Sequence, residues 1–156
     1  LHKAIRRQRQ MCIRDRFTAS RYEDAQRFQN YSCSPVMEGF EPDTHAAEQW
    51  SDPFKGGWIA HKQGSCIKFN VSGSIIMLQY RKTINKPAPV AYAVIDGDRQ
   101  NKVLLDANFD EDWGDLCCLE EIYSGAKGEH TVEIVIDTEG KENSDFMLIS
   151  VITANK

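Results

Sequence analysis

Between Ile67 and Ile152 the chain reads as about seven strand-like segments joined by turns, with no helical period among them. Ile67, Phe69 and Val71 alternate with Lys68 and Asn70, the two-residue period of a half-buried strand. Ser72-Gly73 reads as a turn, and Ser74 to Tyr80 as a strand apolar on both faces, suited to the middle of a sheet. Lys86-Pro87-Ala88-Pro89 is a loop, because the residue before each proline is held extended. Val90 to Ile95 is a second buried strand, and Asp96-Gly97-Asp98 signals a hairpin whose return strand is Lys102 to Leu105. Asp106 to Asp115 is an acidic loop. Leu116 to Tyr123 is a strand, Gly125 to Gly128 a turn, and Thr131 to Asp137 a strand with Val132, Ile134 and Ile136 on one face. Phe146 to Thr153 is the last strand. Short strands at such even spacing, without helices between them, predict an all-β sandwich of jelly-roll type. At 156 residues the chain is long enough to bury a core as one domain.

The N-terminal third is read differently. Ser20 to Asn30 is expected to be a short helix, with Ser20 as cap and Glu23 three residues later. Tyr31 to Pro53 is broken by Ser34-Pro35, Glu41-Pro42-Asp43 and Asp52-Pro53. Its apolar members, Val36, Met37, Phe40 and Trp50, predict an extended segment laid across the body. Residues 1–16 look foreign: they carry six Lys/Arg and one acid, and Met11-Cys12-Ile13-Arg14-Asp15 resembles the translation of a transposon-end sequencing adapter. They are therefore expected to be an assembly scar, with residues 17–156 as the native β-sandwich domain; a basic arm is the alternative.

Charge narrows the function. Taking those six cations and one acid from the 19 and 23 of the whole chain leaves 13 and 22, about −9 for residues 17–156. A body this acidic does not attract phosphate backbones, so no nucleic-acid partner is expected. No apolar run approaches the roughly 20 residues that span a bilayer, so no membrane partner is expected. Apart from Cys12, the cysteines are Cys33, Cys66, Cys117 and Cys118, whose spacing fits neither a disulfide framework nor a zinc site. Free thiols and the lack of a signal sequence favour a cytoplasmic location, with an extracellular one as the alternative.

Three groups of residues are candidates for function. Asp106, Asn108 and Asp110 match the opening of a calcium loop, but Glu111 stands where glycine is needed and Cys117 where glutamate is needed. A looser calcium site from Asp110, Asp112 and Asp115 is the alternative to a solvated, turn-rich loop; the solvated loop is favoured and no cofactor is expected. Trp58 and Trp113 each sit beside glycine in a presumed loop, where an indole could stack on the apolar face of a sugar ring. The competing reading is that both plug the ends of the sandwich. Tyr80-Arg81-Lys82 ends a strand and could add polar contacts. His45, His61 and His130 show no metal spacing and no accompanying nucleophile motif.

Several stretches together resemble the β-sandwich accessory domain of bacterial SGNH (GDSL-type) hydrolases, many of them carbohydrate esterases. They are Phe54-Lys55-Gly56-Gly57-Trp58, Gln79-Tyr80-Arg81-Lys82, Ala91 to Gly97, Leu105 to Asp115 and Glu129 to Ile134. The resemblance covers roughly Tyr22 to Thr153. It implies a galactose-binding-like jelly roll attached to a catalytic domain. The catalytic Gly-Asp-Ser of such enzymes is absent, since Gly97-Asp98 is followed by Arg99 and Gly114-Asp115 by Leu116, and no Asp-x-x-His follows. No catalytic residue is therefore expected, and the chain is expected to be a non-enzymatic part of a longer esterase acting on acetylated polysaccharide or oligosaccharide. A sugar would stack on Trp58 or Trp113, with Tyr80, Arg81, Asp110 and Asp112 around it. The alternative is a purely structural sandwich that docks on the catalytic domain or on another subunit.

Overall fold

The computed structural model describes residues 22, 24–45 and 52–155. Nine strands run β1 Gln26–Phe28, β2 Val36–Glu38, β3 Phe40–Pro42, β4 Trp58–Ala60, β5 Cys66–Lys82, β6 Val90–Ile95, β7 Val103–Asp106, β8 Leu116–Thr138 and β9 Phe146–Ala154. Only a three-residue 3-10 turn, Arg99–Asn101, interrupts them among the described residues. The fold is the β-sandwich expected from the strand pattern.

Two long strands make the two layers. β5 and β8 pair along their whole length, from Cys66↔Val135 to Lys82↔Leu116. Between Gly73↔Gly128 and Ile75↔Ser124 the register slips, so Gly125, Ala126 and Lys127 of β8 stand against Ser74 alone. A bulge bends a strand and sharpens its twist, which lets it pass from one sheet to the other. The N-terminal half of β5 joins β2, the C-terminal half of β8, β6 and β7 in a first layer. The C-terminal half of β5 joins the N-terminal half of β8 and β9 in a second, with β4 and β1 on the far side of β9 and β3 beyond β4. Every named pair is antiparallel.

The core lies between these layers. Ile67, Phe69 and Val71 of β5 and Val132, Ile134 and Ile136 of β8 point into it, as their alternation predicts. Trp58 of β4 meets Phe69 edge-on, with ring centroids 5.0 Å apart. Tyr80 stacks on Phe146 at 5.9 Å. Ile75, Met77 and Ala154 form a smaller buried cluster on the outer side of the second layer. This explains why Ser74 to Tyr80 is apolar without alternation.

Three expectations are corrected. Ser72-Gly73 and Gly125 to Gly128 are not turns: both lie inside continuous strands, and their small residues serve the shared corner. A Cβ at Gly73 would meet the Ala154 carbonyl at 3.1 Å, and one at Gly125 would come within 2.6 Å of the Tyr123 hydroxyl. Gln26–Phe28 is a strand and not part of a helix, because its pairing with Thr153–Val151 supplies the backbone hydrogen bonds and Phe28 packs on the core. Ser20, Glu23, Trp50 and residues 1–16 lie outside the described residues. The segment expected to be irregular carries β2 and β3, joined at Gly39 (φ +78), whose Cβ position is filled by Ser65.

Candidate functional site

The register places Lys82, Val90, Asp106, Leu116, Thr138 and Phe146 at one end of the sandwich. Three loops therefore meet there: residues 83–89, 107–115 and 139–145. They are tied by backbone hydrogen bonds from Thr83 to Ala107, Phe109 to Thr83 and Lys141 to Pro87. The Asn108 amide adds a two-sided staple: its Oδ1 accepts from Ala88 N–H at 2.9 Å, and its Nδ2 donates to the Ala88 carbonyl at 3.2 Å. Asp106 Oδ1 accepts from both the Asn108 amide and its side chain. The part of the sequence that matched a calcium loop is in fact this staple.

On this frame Trp113 stands out from the loop tip, 63% exposed. Phe109 and Trp113 form a T-shaped pair at 5.2 Å and 88°, which orients the indole while most of its surface stays in water. Arg81 Nη1 lies 3.8 Å from Asp115, and its Nη2 donates to the Asp145 carbonyl at 3.4 Å. Asp145 in turn faces His61 Nδ1 at 3.0 Å. Asp110 is paired with Lys86, which holds its carboxyl below the usual range, with Lys82 adding to the effect. Arg81, Thr83 and Asn85 line one bank of a polar cleft of about 290 Å³, and Lys141 to Ser144 the other. Asn143 holds a left-handed backbone at φ +62 on that bank.

The expected site residues thus divide. Trp113, Arg81, Asp110 and Asp112 belong to this end. Trp58 does not: at 1% exposed it is a core side chain, and neither ring face reaches solvent. Tyr80 is likewise buried, at 2%, and burial followed by its hydrogen bond to Cys118 pushes its phenol pKa up. The strand period places Tyr80 inward and Arg81 outward, so only Arg81 is available to a ligand. Asp110 and Asp115 face Lys86 and Arg81, and no three acidic, histidine or cysteine side chains converge among the described residues.

The sequence sets Asp43 two residues from His45 but gives no sign that Asp96 faces His130. His45 Nδ1 lies 2.8 Å from Asp43, and His130 Nδ1 lies 2.8 Å from Asp96. The first pair sits in the loop after β3, and the second joins the loop after β6 to the middle of β8. Cys33, Cys66, Cys117 and Cys118 are free thiols.

No protein-family model matches the chain, and no curated protein does. Among solved structures, a two-domain esterase active on acetylated mannans is similar to 90% of this chain at 41% identity, with a TM-score of 0.83. One of its crystals holds mannopentaose. A family two carbohydrate esterase from Cellvibrio japonicus is similar over 85% of this chain and 34% of its own, at 14% identity and a TM-score of 0.57. The CBM36-1 domain of a multidomain xylanase from the hindgut metagenome of Trinervitermes trinervoides is similar over 83% of this chain and 95% of its own, at 11% identity and a TM-score of 0.52. At such identities the last two show the fold alone.

The chain is an all-β sandwich similar to part of a two-domain esterase. Its particular likeness is to the acetylated-mannan esterase, of which it spans 39% of the length.

Proposed function

We propose that the chain is the non-catalytic accessory module of an SGNH-type esterase acting on acetylated polysaccharide or oligosaccharide, and that it binds carbohydrate at the loop end built around Trp113. The observation that carries this reading is the exposed indole at the same end of the sandwich as the polar cleft of Arg81 and Asn143. A pyranose ring has an apolar C–H face for the indole and hydroxyls for the arginine and amide groups. Asp112 is exposed beside the indole and is the carboxylate available to accept sugar hydroxyls. The likeness to an esterase crystallised with mannopentaose supports a mannan-type ligand and a catalytic domain as the module's other partner. The test is calorimetric titration of the full chain with mannopentaose. Trp113→Ala should remove the binding isotherm of this site and leave the thermal midpoint nearly unchanged; an unaltered titration would sink the reading.

A second reading, a docking sandwich without glycan affinity, is favoured by one observation. Among the described residues, Leu116 to Glu120 of β8 has a strand partner on one side, β5, and Leu119 there is 52% exposed. Such an edge can add a strand from another domain. It predicts self-association or binding to a catalytic domain that Leu119→Lys removes, measured by sedimentation, with no response to mannopentaose.

A further inference from the structure

Tyr31 is the most exposed large apolar-bodied side chain among the described residues, at 78%. Its ring buries only about a fifth of its surface, so it contributes little to the core. It is nonetheless held. The hydroxyl donates to Gln29 Oε1 at 2.8 Å. Gln29 itself is 6% exposed, and its Nε2 donates to the Lys55 carbonyl at 2.9 Å and the Ile149 carbonyl at 3.3 Å. With both N–H groups engaged by carbonyls, the amide orientation is set, and Oε1 is the atom left to face Tyr31. Ser32 closes the turn beneath, its Oγ accepting from Gln29 N–H at 2.8 Å and donating to the Gln29 carbonyl at 3.0 Å.

The ring edge also passes over Gly56. A Cβ there would lie 3.5 Å from Tyr31 Cε1 and 3.0 Å from Gln29 Nε2, and the backbone takes φ +81. A buried amide and a left-handed glycine thus hold an aromatic ring that faces water. Stability alone gives no reason for this, since so little of the ring is buried. An ordered exposed tyrosine does have a use in binding: it presents a flat apolar face with little entropy left to lose.

We propose that Tyr31 is a second carbohydrate platform of this module, stacking on one pyranose ring of a neutral oligosaccharide. It rests on the reading that the module binds glycan, but not on the Trp113 surface. Tyr31 lies on the connection from β1 to β2, and Trp113 on the connection from β7 to β8. Tyr31 is tied through Gln29 to the Lys55 and Ile149 carbonyls, beside β4 and β9, whereas Trp113 packs on Phe109, whose amide donates to Thr83 just past β5; the two rings share no tethering residue. The two platforms act as separate sites, so a polysaccharide could be held at two points of one module.

The test is a nitrogen-15 NMR titration of the full chain with mannopentaose, and with xylotriose as a second probe. The Gln29 side-chain amide and the Gly56 amide should shift with one isotherm, and the Trp113 indole with another. Tyr31→Ala should weaken the first isotherm at least about tenfold and leave the second unchanged, whereas Tyr31→Phe keeps the ring and most of the affinity. If Trp113 responds and Gln29 and Gly56 do not, the Tyr31 platform is overturned and the Trp113 reading stands. The reverse pattern upholds Tyr31 and overturns Trp113. If neither region responds to either sugar, both fail. If Tyr31→Ala lowers the thermal midpoint and weakens both isotherms together, the ring is a brace and the platform is overturned.

Discussion

Trp58 and Trp113 look alike in the sequence and should behave oppositely when truncated. Burying a tryptophan removes up to about 250 Å² from water. Trp58 is buried almost entirely, so at about 25 cal/mol per Å² its transfer term is about 6 kcal/mol. That is an upper bound, because the unfolded chain already hides part of this surface. Trp58→Ala also breaks the edge-on contact with Phe69, between two layers that can only partly close on the vacancy. The expected loss is about 3–5 kcal/mol. Trp113 keeps only about a third of its surface covered, at a loop tip, and Trp113→Ala should cost below about 1 kcal/mol. Urea denaturation followed by circular dichroism separates the two. With a slope of about 2 kcal/mol/M, Trp58→Ala should lower the midpoint by roughly 2 M and Trp113→Ala by less than about 0.5 M. A Trp58→Ala protein within about 1 kcal/mol of the parent would refute the placement of Trp58 in the core. Equal losses at the two positions would refute the contrast itself.

Other outcomes follow from single contacts. Gly57→Ala puts a Cβ 1.9 Å from the Leu148 carbonyl and 2.7 Å from Ile149 Cα, against strand backbone that cannot yield, and should abolish folding, read by circular dichroism; Gly64→Ala, at φ +81 with open space around it, should cost only about 1 kcal/mol. Burial, and then the Glu133 carboxylate, push the Cys66 thiol up to about 11. Peptide-resolved alkylation at pH 8 should find Cys66 slower than an ordinary thiol by about two orders of magnitude and faster after Glu133→Gln; labelling at an ordinary rate would exclude the Glu133 contact. The hydrogen bonds from His130 and from the Thr131 amide hold the Asp96 carboxyl below its ordinary value. A depressed folded pKa means its stabilisation is present above the unfolded value of about 3.9 and is lost as pH falls through the folded one. The carboxyl is half exposed, so the effect on stability is small, and the direct measure is a carbon-13 titration of Asp96. Its midpoint should lie below about 3.9 and rise in His130→Gln; a midpoint that does not move would mean the pair is not formed.

Where the apolar pattern has a clear period and a length that only one element fits, sequence and structure agree closely. Val90 to Ile95 is β6 as read, and Phe146 to Thr153 is β9 with one residue added. The Asp96-Gly97 hairpin signal is matched by left-handed backbone at both residues, φ +52 and +76. The three-residue strands β1, β2 and β3 were not legible. Nothing in Gln26-Arg27-Phe28 or Val36-Met37-Glu38 encodes extension; β9 and β5 impose it by offering an edge. Glycines 73, 125 and 128 suggest turns because a glycine at a turn and a glycine at a bulged corner leave the same mark in a sequence. Tyr31 carried no sequence signal at all, since its tether, Gln29, is itself fixed by carbonyls 26 and 120 residues away.

The sequence by itself determined that this chain folds as an all-β sandwich, because two-residue periodicity and turn chemistry are local properties that survive without knowledge of partners. It also placed an acidic, aromatic loop near the junction with β8. Only the tertiary structure decided which aromatic faces water. A tryptophan beside glycine is the same word at positions 58 and 113, yet Trp58 is closed in between the layers and Trp113 stands at a loop tip where nothing of the sandwich covers it. Burial depends on what comes from elsewhere in the chain to lie against a side chain, and that is settled by strand order and register, which no local pattern contains.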